Sequence, residues 1–402
     1  MTAMNPLLEK LEPYPFERMQ ALKSGLRGNP RYPHVSLSIG EPKHPPPPFI
    51  VEALADREAL AEDLSTYPAT RGSEELRGAI AGWLRRRFGV RLDPGTQILP
   101  VAGTREALFS IGQAVFGGKP GGIGILPNPF YQIYEGAVLL GGAMPYFVDA
   151  GAGSGFVPDY RRVPDAVWAR CELLYLCSPG NPTGRCVDAE TLLWLLEKAD
   201  RYDFIVVADE CYSEIYPDED RPPRGLLEVA AGSGRDGFER CLVFHSLSKR
   251  SNLPGLRSGF VAGDARILAR YYAYRTYEGC ALGAHVQRAS ALAWADEAHV
   301  VENRALYRAK FEVLTPLLAR AFRFPVPEGG FYHWLAVGED DEAFTRDLFQ
   351  DQHITVLPGS YLGRSAQGVN PGKGRVRVAW VAPLHDCVDA ARRLLEWALA
   401  RR

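Results

Sequence analysis

Short runs of β-forming residues alternate with helical stretches through the middle of the chain, and this alternation constrains its fold more than any other feature. The runs lie at 122–127, 173–178, 204–209, 241–246 and 259–263. Such alternation predicts a mostly parallel sheet covered by helices on both faces. Ligands bind such sheets at the carboxyl ends of the strands, so we expect the functional residues directly after these runs.

The segments on either side indicate a second, smaller domain. Four successive prolines in 44–49 predict a stiff extended connector between domains, and helical periodicity follows over 49–62 and 73–88, with Ser73 as a cap. A long helical stretch from about residue 289 to 320 precedes short strands at 354–357 and 375–380 and a final helix. The predicted units are an N-terminal arm with part of the small domain, the large domain and a small C-terminal domain, at 1–45, 46–288 and 289–402.

Composition favours a small-molecule partner. The 402 residues include 46 Lys and Arg against 48 Asp and Glu, and a net charge of -2 gives no general attraction for nucleic acid or acidic membranes. The seven cysteines form no C-x-x-C pair, which predicts reduced thiols in a cytoplasmic protein and no metal site. The apolar runs are shorter than the ~20 residues that cross a bilayer.

The stretch FHSLSKRSNLPGLRSGF at 244–260 is the most specific one. A predicted strand ends there, and Ser246, Lys249 and Arg257 follow. Lysine is rare in cores, whereas a desolvated lysine with a lowered pKa is what Schiff-base chemistry with a carbonyl cofactor requires. Taken alone, Lys249 and Arg257 are more typical of a solvated loop.

Polar residues follow two further predicted strands. Asp209 ends the strand in IVVADECYSEIY, with Tyr212 three residues on, and Asn181 lies in the rigid turn of CSPGNPTG. A carboxylate at the end of a strand either binds a cation or caps a helix N-terminus, and Asp209 could be a simple helix cap. The segment around Asn181 is by itself only a turn signal.

A helix begins at Gly103 and Thr104 within PVAGTREALFSIGQAVF. Free backbone N–H groups and the positive end of the helix dipole make such a start suitable for phosphate. The alternative is that Thr104 is an ordinary N-cap, in which case the same helix start binds no ligand.

The order and spacing of these motifs resemble the fold type I aminotransferases of class I and II, which use pyridoxal 5'-phosphate. The likeness covers nearly the whole chain. It implies an α/β fold with a large domain, built on a mostly parallel seven-stranded sheet between helices, and a smaller α+β domain. The motifs are Ile39-Gly40, Tyr67, G-T-R at 103–105, N-P-T-G at 181–184, A-D-E-x-Y at 208–212, S-L-S-K at 246–249 and Arg377 in VRVAW.

The resemblance implies a role for each matching residue. Lys249 would anchor the cofactor and act as general base, and Asp209 would pair with the pyridine nitrogen. Asn181 and Tyr212 would bind the ring oxygen, and Tyr131 would stack on the ring. The phosphate would be surrounded by Gly103, Thr104, Arg105, Ser246 and Arg257, with two arginine charges offsetting its own.

The resemblance also implies a homodimer with shared active sites, in which Tyr67 reaches the phosphate of the neighbouring subunit. Arg377 would bind the substrate α-carboxylate, for which a planar guanidinium suits better than lysine, and Gly40 and Asn181 would also contact the substrate. Arg375, two residues earlier on the same strand face, is the alternative to Arg377. Assigning the stacking position to Tyr131 instead of Phe130 is a choice of register.

A narrower likeness concerns the substrate. The segments at 38–48 and 246–264 resemble the succinyldiaminopimelate aminotransferases, which implies transfer of an amino group from N-succinyl-LL-2,6-diaminopimelate to 2-oxoglutarate. A long acidic substrate needs further cationic donors, and the candidates are Lys43, Arg31 and Arg71. The alternatives are donors such as aspartate, alanine or an aromatic amino acid, or β-elimination on the same cofactor.

Overall fold

The computed structural model describes residues 4–366 and 368–401. Its strands, in chain order, are β1 (Val35–Ser36), β2 (Ile98–Val101), β3 (Ile123–Asn128), β4 (Met144–Asp149), β5 (Cys171–Cys177), β6 (Ile205–Asp209), β7 (Cys241–Ser246), β8 (Gly259–Gly263), β9 (Tyr332–Ala336), β10 (Ile354–Thr355), β11 (Leu357–Pro358) and β12 (Arg375–Ala379).

The α-helices of the same part of the chain are α1 (Pro15–Leu22), α2 (Pro48–Ala55), α3 (Arg57–Leu64), α4 (Glu74–Phe88), α5 (Thr104–Val115), α6 (Ile133–Leu140), α7 (Asp165–Trp168), α8 (Ala189–Tyr202), α9 (Leu226–Gly232), α10 (Leu247–Arg250), α11 (Ala265–Glu278), α12 (Ala284–Ala295), α13 (Ala298–Ala319), α14 (Asp341–Gln352) and α15 (Leu384–Ala400).

Seven strands form one sheet in the order β2-β8-β7-β6-β5-β3-β4. All neighbours in it are parallel except β8, which runs antiparallel to both β2 and β7. The predicted strands at 122–127, 173–178, 204–209, 241–246 and 259–263 all belong to this sheet, so the prediction of a mostly parallel seven-stranded sheet is confirmed.

Helices cover both faces of the sheet, and successive residues of β6 show how. Val206 packs into a cluster that includes Trp83 of α4, whereas Val207 packs into the opposite cluster, which includes Leu108 of α5. Each of these side chains is buried. Because side chains alternate along a strand, a central strand covered on both faces is apolar throughout, as the run FIVVA is.

The remaining strands build a smaller unit. Strands β11, β12 and β9 form an antiparallel sheet, and β1 pairs in parallel with β10. Val35 and Leu37 from the start of the chain lie in one apolar cluster with α13, β12 and α15. The N-terminal segment therefore packs with the C-terminal part of the chain, and the site lies where this unit meets the large sheet.

Two predicted helical stretches are each divided. Residues 49–62 form α2 and α3, because Asp56 leaves the helical conformation and its carboxylate accepts hydrogen bonds from the backbone N–H groups of Glu58 and Ala59. The stretch at 289–320 comprises the end of α12 and all of α13. Among the described residues, no helix is long and apolar enough to cross a membrane.

Candidate active site

A cavity of about 440 Å³ lies at the carboxyl ends of β5, β6 and β7, beside the start of α5. It has the position that an open parallel sheet predicts for a ligand site. Most of the site residues expected from the sequence line it, namely Gly40, Thr104, Arg105, Tyr131, Asn181, Asp209, Tyr212, Ser246, Lys249, Arg257 and Arg377.

Lys249 lies in α10, the short helix that directly follows β7. Burial lowers the pKa of its amine; the nearby Cys211 and Asp209 oppose this shift, and the Arg257 and Arg377 cations add to it. A lowered pKa leaves more of the amine in the neutral, nucleophilic form at a given pH. The Asn303 side-chain amide donates a 3.1 Å hydrogen bond to the Lys249 carbonyl and so holds this turn in place.

Asp209 is a buried carboxylate at the end of β6, and protein donors fix its orientation. The Tyr134 hydroxyl donates to its Oδ2 at 2.6 Å, and the Cys211 backbone N–H donates to its Oδ1 at 3.2 Å. The carboxylate influences the Lys249 amine electrostatically. The structure thus brings the expected amine and the expected carboxylate into one cavity.

Arg377 reaches the cavity from β12. Its Nη1 donates to the Asn181 side-chain oxygen at 2.8 Å and its Nη2 donates to the Ser38 carbonyl at 2.7 Å. Arg375 instead donates from Nη1 to the Trp334 carbonyl at 3.3 Å and lies outside the cavity lining, with its guanidinium 4.4 Å from the centroid of the Phe156 ring. Of the two arginines, Arg377 alone faces the site.

A pair of tyrosine hydroxyls lies at the same wall. The hydroxyl oxygens of Tyr212 and Tyr332 are 2.8 Å apart, and both side chains are buried. Gly40 closes against this pair, because a Cβ at residue 40 would lie 2.0 Å from the Tyr332 hydroxyl oxygen. A side chain at residue 40 would therefore displace Tyr332.

The start of α5 forms a cradle for an anion. Gly103 has φ +89°, and a Cβ there would lie 2.4 Å from Nη2 of Arg257. Thr104, Ser246 and Arg257 line the cavity beside this turn. Backbone N–H groups at the start of a 12-residue helix, two hydroxyls and a guanidinium are the donor set that a phosphate requires.

Some expected residues do not enter the cavity of their own chain. The Tyr67 side chain is fully exposed. Lys43 pairs with Glu41, and Arg71 donates a 2.6 Å hydrogen bond to the Gly95 carbonyl. Lys43, Arg31 and Arg71 do not line the cavity of their own chain, and their role at the substrate stays a prediction.

The sequence reasoning missed several lining residues. Tyr134 lies in the first turn of α6, three residues after Tyr131, and this proximity in sequence is the one signal that could have found it. Tyr14 and Phe16 come from the N-terminal segment, and Tyr332 comes from β9; nothing local marks them as site residues. Cys211, whose Sγ lies 3.2 Å from the Thr104 hydroxyl, is one of the seven cysteines for which the sequence predicts only a reduced thiol.

Comparison with known proteins decides the family. The family model for aminotransferase class I and II matches residues 32–386. The chain belongs to this family. An aminotransferase from Neisseria meningitidis has the same fold, with a TM-score of 0.93 and 47% sequence identity over 98% of this chain and 100% of that one.

Relatives with named activities are more distant. The LL-diaminopimelate aminotransferase of Syntrophobacter fumaroxidans is 32% identical over 96% of this chain and 97% of its own length. The 4-dedimethylamino-4-oxo-anhydrotetracycline transaminase OxyQ of Streptomyces rimosus is 35% identical over 90% of this chain and 92% of its own. The structure of the aminotransferase AspB from Helicobacter pylori has a TM-score of 0.88 and 35% identity over 97% of this chain and 99% of that one.

Aminotransferases of this family use pyridoxal 5'-phosphate, and the cavity fits it. It offers an amine at Lys249, a fixed carboxylate at Asp209 and an anion cradle at Gly103, which are the groups that the cofactor's aldehyde, ring nitrogen and phosphate require. When bound, the cofactor supplies an electron-withdrawing ring that stabilises negative charge on the substrate α-carbon. The protein is an aminotransferase, and its substrates are small molecules, amino acids and 2-oxo acids.

Proposed function

We propose that Lys249 holds the cofactor covalently and moves the proton at the substrate α-carbon. This is supported by two observations: its amine and the Asp209 carboxylate line the same cavity, and burial favours the neutral amine that such a base requires. Asp209 would keep the pyridine nitrogen protonated. Because Tyr134 and the Cys211 backbone already orient this carboxylate, no reorganisation is needed when the ring binds.

The other lining residues would bind and orient the cofactor and the substrate. Tyr212 and Asn181 would donate to the ring oxygen, Tyr131 would stack on the ring, and Arg377 would bind the substrate α-carboxylate. The hydrogen bonds of Arg377 to Asn181 and Ser38 leave its guanidinium pre-oriented before substrate arrives. The phosphate would be held by Gly103, Thr104, Arg105, Ser246 and Arg257.

The proposed reaction moves an amino group from N-succinyl-LL-2,6-diaminopimelate to 2-oxoglutarate. The charge of the cavity lining carries this proposal. Among the described lining residues, Asp209 is the one carboxylate, whereas Arg105, Arg257 and Arg377 are cationic. Asp209 is already assigned to the ring nitrogen. The lining therefore suits a substrate whose far end is neutral amide and carboxylate.

A second candidate donor is LL-diaminopimelate itself, because several relatives carry the name LL-diaminopimelate aminotransferase. The far end of this donor carries an ammonium group. A buried ammonium requires an acceptor or a carboxylate, and the described lining offers no carboxylate besides Asp209. The succinylated donor, in which an amide replaces that ammonium, is the better fit.

A donor panel tests the proposal. The purified holoenzyme is given N-succinyl-LL-diaminopimelate, LL-diaminopimelate, aspartate, alanine and phenylalanine, each with 2-oxoglutarate, and glutamate formation is followed. We expect kcat/KM for the succinylated donor to exceed that for LL-diaminopimelate by at least about 10-fold, the effect of one unpaired buried charge. An equal or reversed preference contradicts the proposed substrate.

The homodimer, the domain boundaries at 45/46 and 288/289 and the cytoplasmic location stay predictions. The fully exposed ring of Tyr67 supports the dimer, because an exposed tyrosine of this kind is available to a second subunit. If Tyr67 completes a neighbouring site, Tyr67→Ala should weaken cofactor binding although the residue lies outside the cavity of its own chain. An unchanged cofactor affinity contradicts this role.

A further inference from the structure

A chain of hydrogen bonds begins at the turn that carries Lys249. The Asn303 side-chain nitrogen donates to the Lys249 carbonyl at 3.1 Å, and the Asn303 side-chain oxygen lies 3.0 Å from Nδ1 of His44. The Lys310 amine donates to Nε2 of His44 at 2.8 Å and to the Trp380 carbonyl at 3.0 Å. The chain therefore runs from the end of β7 to the residue that directly follows β12.

The donors and acceptors of this chain have one arrangement. A peptide carbonyl only accepts, so the Asn303 nitrogen must face Lys249 and its oxygen must face His44. The imidazole hydrogen is then on Nδ1, and Nε2 of the neutral ring accepts from Lys310. Burial lowers the pKa of His44, although Asn303 opposes this shift, and the nearby Lys310 charge adds to it. Both bonds of the Lys310 amine persist whether it is charged or neutral, because either form carries at least two N–H groups.

The chain joins segments that are far apart in the sequence. His44 directly precedes the four successive prolines, which restrict the backbone around it. Asn303 and Lys310 are buried and lie about two turns apart on α13, so they share one face of that helix. Both ends of the chain are beside functional residues, because one end is Lys249 itself and the other directly follows the strand of Arg377.

Other contacts hold the same turn but do not reach β12. Arg250 donates to the Ala293 carbonyl at 2.7 Å, and the Ser251 hydroxyl lies 2.8 Å from Nε2 of His299. These contacts end at the junction of α12 and α13, whereas the chain through His44 continues to the smaller sheet.

We propose that His44, Asn303 and Lys310 position Lys249 relative to Arg377. None of these three described residues lines the cavity, so they act through the two residues that do. Arg377 would fix the substrate by its α-carboxylate, and Lys249 would move the proton on the adjacent carbon. The separation of these two side chains then decides how well the amine and the proton are aligned. The inference rests on the proposed role of Lys249 and deepens it.

The main test variant is His44→Phe. It removes both ring nitrogens and keeps an aromatic ring against Tyr307, whose centroid lies 4.5 Å from that of His44. His44→Gln is the conservative variant, because an amide keeps one donor and one acceptor. His34→Phe is the matched control, since the His34 ring makes a 2.9 Å hydrogen bond to the Thr355 hydroxyl outside the cavity and the chain. Lys310→Met interrupts the chain at its other end.

Each holoenzyme is mixed with glutamate, and the absorption band of the cofactor is followed through a single turnover. Glutamate is the donor that 2-oxoglutarate yields, so the test does not depend on the succinylated substrate. We expect the limiting rate to fall about 10-fold in His44→Phe and in Lys310→Met, because the amine is misaligned. The glutamate concentration at half-maximal rate should change by less than about 3-fold. His44→Gln should recover most of the rate, and His34→Phe should match the wild type.

Two comparisons place the loss on the position of the amine. Glutamate deuterated at the α-carbon should react more slowly than ordinary glutamate in His44→Phe, because proton transfer then limits the reaction. The double variant of His44→Phe and Lys310→Met should lose no more than about 2-fold beyond either single variant, since each interrupts the same chain. An unchanged limiting rate, the absence of an isotope effect in the slow variant, or losses that multiply in the double variant overturn the proposal.

Covalent attachment of the cofactor gives a readout without substrate. Pyridoxal phosphate is added to each apoprotein, and attachment to Lys249 is followed by borohydride reduction and mass spectrometry. Attachment should be several-fold slower in His44→Phe than in the wild type and in His34→Phe. If the wild type attaches the cofactor to a different lysine, the proposed role of Lys249 fails. If it attaches the cofactor to Lys249 and His44→Phe does so at the same rate, only the positioning role of His44 fails.

Discussion

The Tyr134 hydroxyl donates a 2.6 Å hydrogen bond to Oδ2 of Asp209. Tyr134 lies on α6 and Asp209 ends β6, so a helix packed on the sheet orients the carboxylate at its edge. The Cys211 backbone N–H holds the other oxygen. Two donors at fixed positions leave this carboxylate one orientation in the cavity, which is what a partner of the pyridine nitrogen requires.

Replacing Tyr134 by phenylalanine should weaken this orientation. The loss of one hydrogen bond to a buried carboxylate should lower the free energy of unfolding by about 1–3 kcal/mol and weaken cofactor binding several-fold. Urea unfolding and a cofactor titration measure the two effects. Tyr160→Phe is the control, because the Tyr160 hydroxyl is buried without a hydrogen-bond partner in the described structure and lies outside the cavity. If both variants lose the same stability and the same cofactor affinity, the hydrogen bond from Tyr134 to Asp209 does not contribute to cofactor binding.

Arg377→Lys should impair substrate use without affecting the cofactor. An ammonium cannot keep both the bonds to Asn181 and Ser38 and a bidentate pair with the substrate, so kcat/KM should fall by about 100-fold. The cofactor Kd should stay unchanged. Arg375→Lys, outside the cavity lining on the same strand, should retain most of the activity. A larger loss in Arg375→Lys than in Arg377→Lys would reverse the assignment.

Gly103→Ala should damage the anion cradle in two ways. Its φ of +89° is strained for alanine, and the new Cβ would displace the Arg257 guanidinium. We expect a loss of about 1 kcal/mol in unfolding free energy and roughly 10-fold weaker cofactor binding. Gly142→Ala separates the backbone strain from the displacement of Arg257, because Gly142 has φ +80° but open space around its Cβ position. Only the first variant should lose cofactor affinity, and equal cofactor affinities would contradict the cradle.

Lys310 makes stability depend on pH. Burial lowers the pKa of its amine to about 8, although the nearby Cys387 opposes this shift, and its Nζ donates to the His44 imidazole at 2.8 Å and the Trp380 carbonyl at 3.0 Å. Between this pKa and the ordinary 10.5, the unfolded chain binds the proton and the folded protein does not. The contribution of Lys310 to the free energy of unfolding therefore rises with pH in that window.

The matched variant for this effect is Lys310→Met, in which the titrating group is absent. The difference in free energy of unfolding, wild type minus variant, should increase by about 1 kcal/mol per pH unit between pH 8 and 9.5 and stay level below pH 7. Urea unfolding at fixed protein concentration measures it. A difference that is constant or falls over that range contradicts the lowered pKa of Lys310.

The sequence was sufficient to predict the large sheet and the site residues at the ends of its strands. Strand runs such as FIVVAD carry the apolar pattern of a doubly covered sheet, and Asp209, Asn181 and Lys249 each follow such a run. The interruption at Asp56 was missed, because the apolar periodicity of 49–62 continues across a residue whose side chain caps the next helix.

Residues that enter the site from distant segments could not be predicted. Tyr14 precedes Lys249 by more than two hundred positions, and Tyr332 lies on a strand of the smaller sheet. Their presence in the cavity depends on how the smaller unit packs against the large sheet, which no local pattern encodes. The choice between Arg375 and Arg377 was open for a related reason, since they are two residues apart on one strand and their different partners, Phe156 and Trp334 for Arg375 against Asn181 and Ser38 for Arg377, come from distant segments.

The most direct measurement is to locate the covalent attachment of the cofactor. The holoenzyme is reduced with borohydride, digested and analysed by mass spectrometry, together with Lys249→Ala. The account predicts that the cofactor is found on the peptide containing Lys249 and that the variant lacks both the modified peptide and the visible absorption band. Modification of a different lysine, or a band that survives in Lys249→Ala, would contradict it.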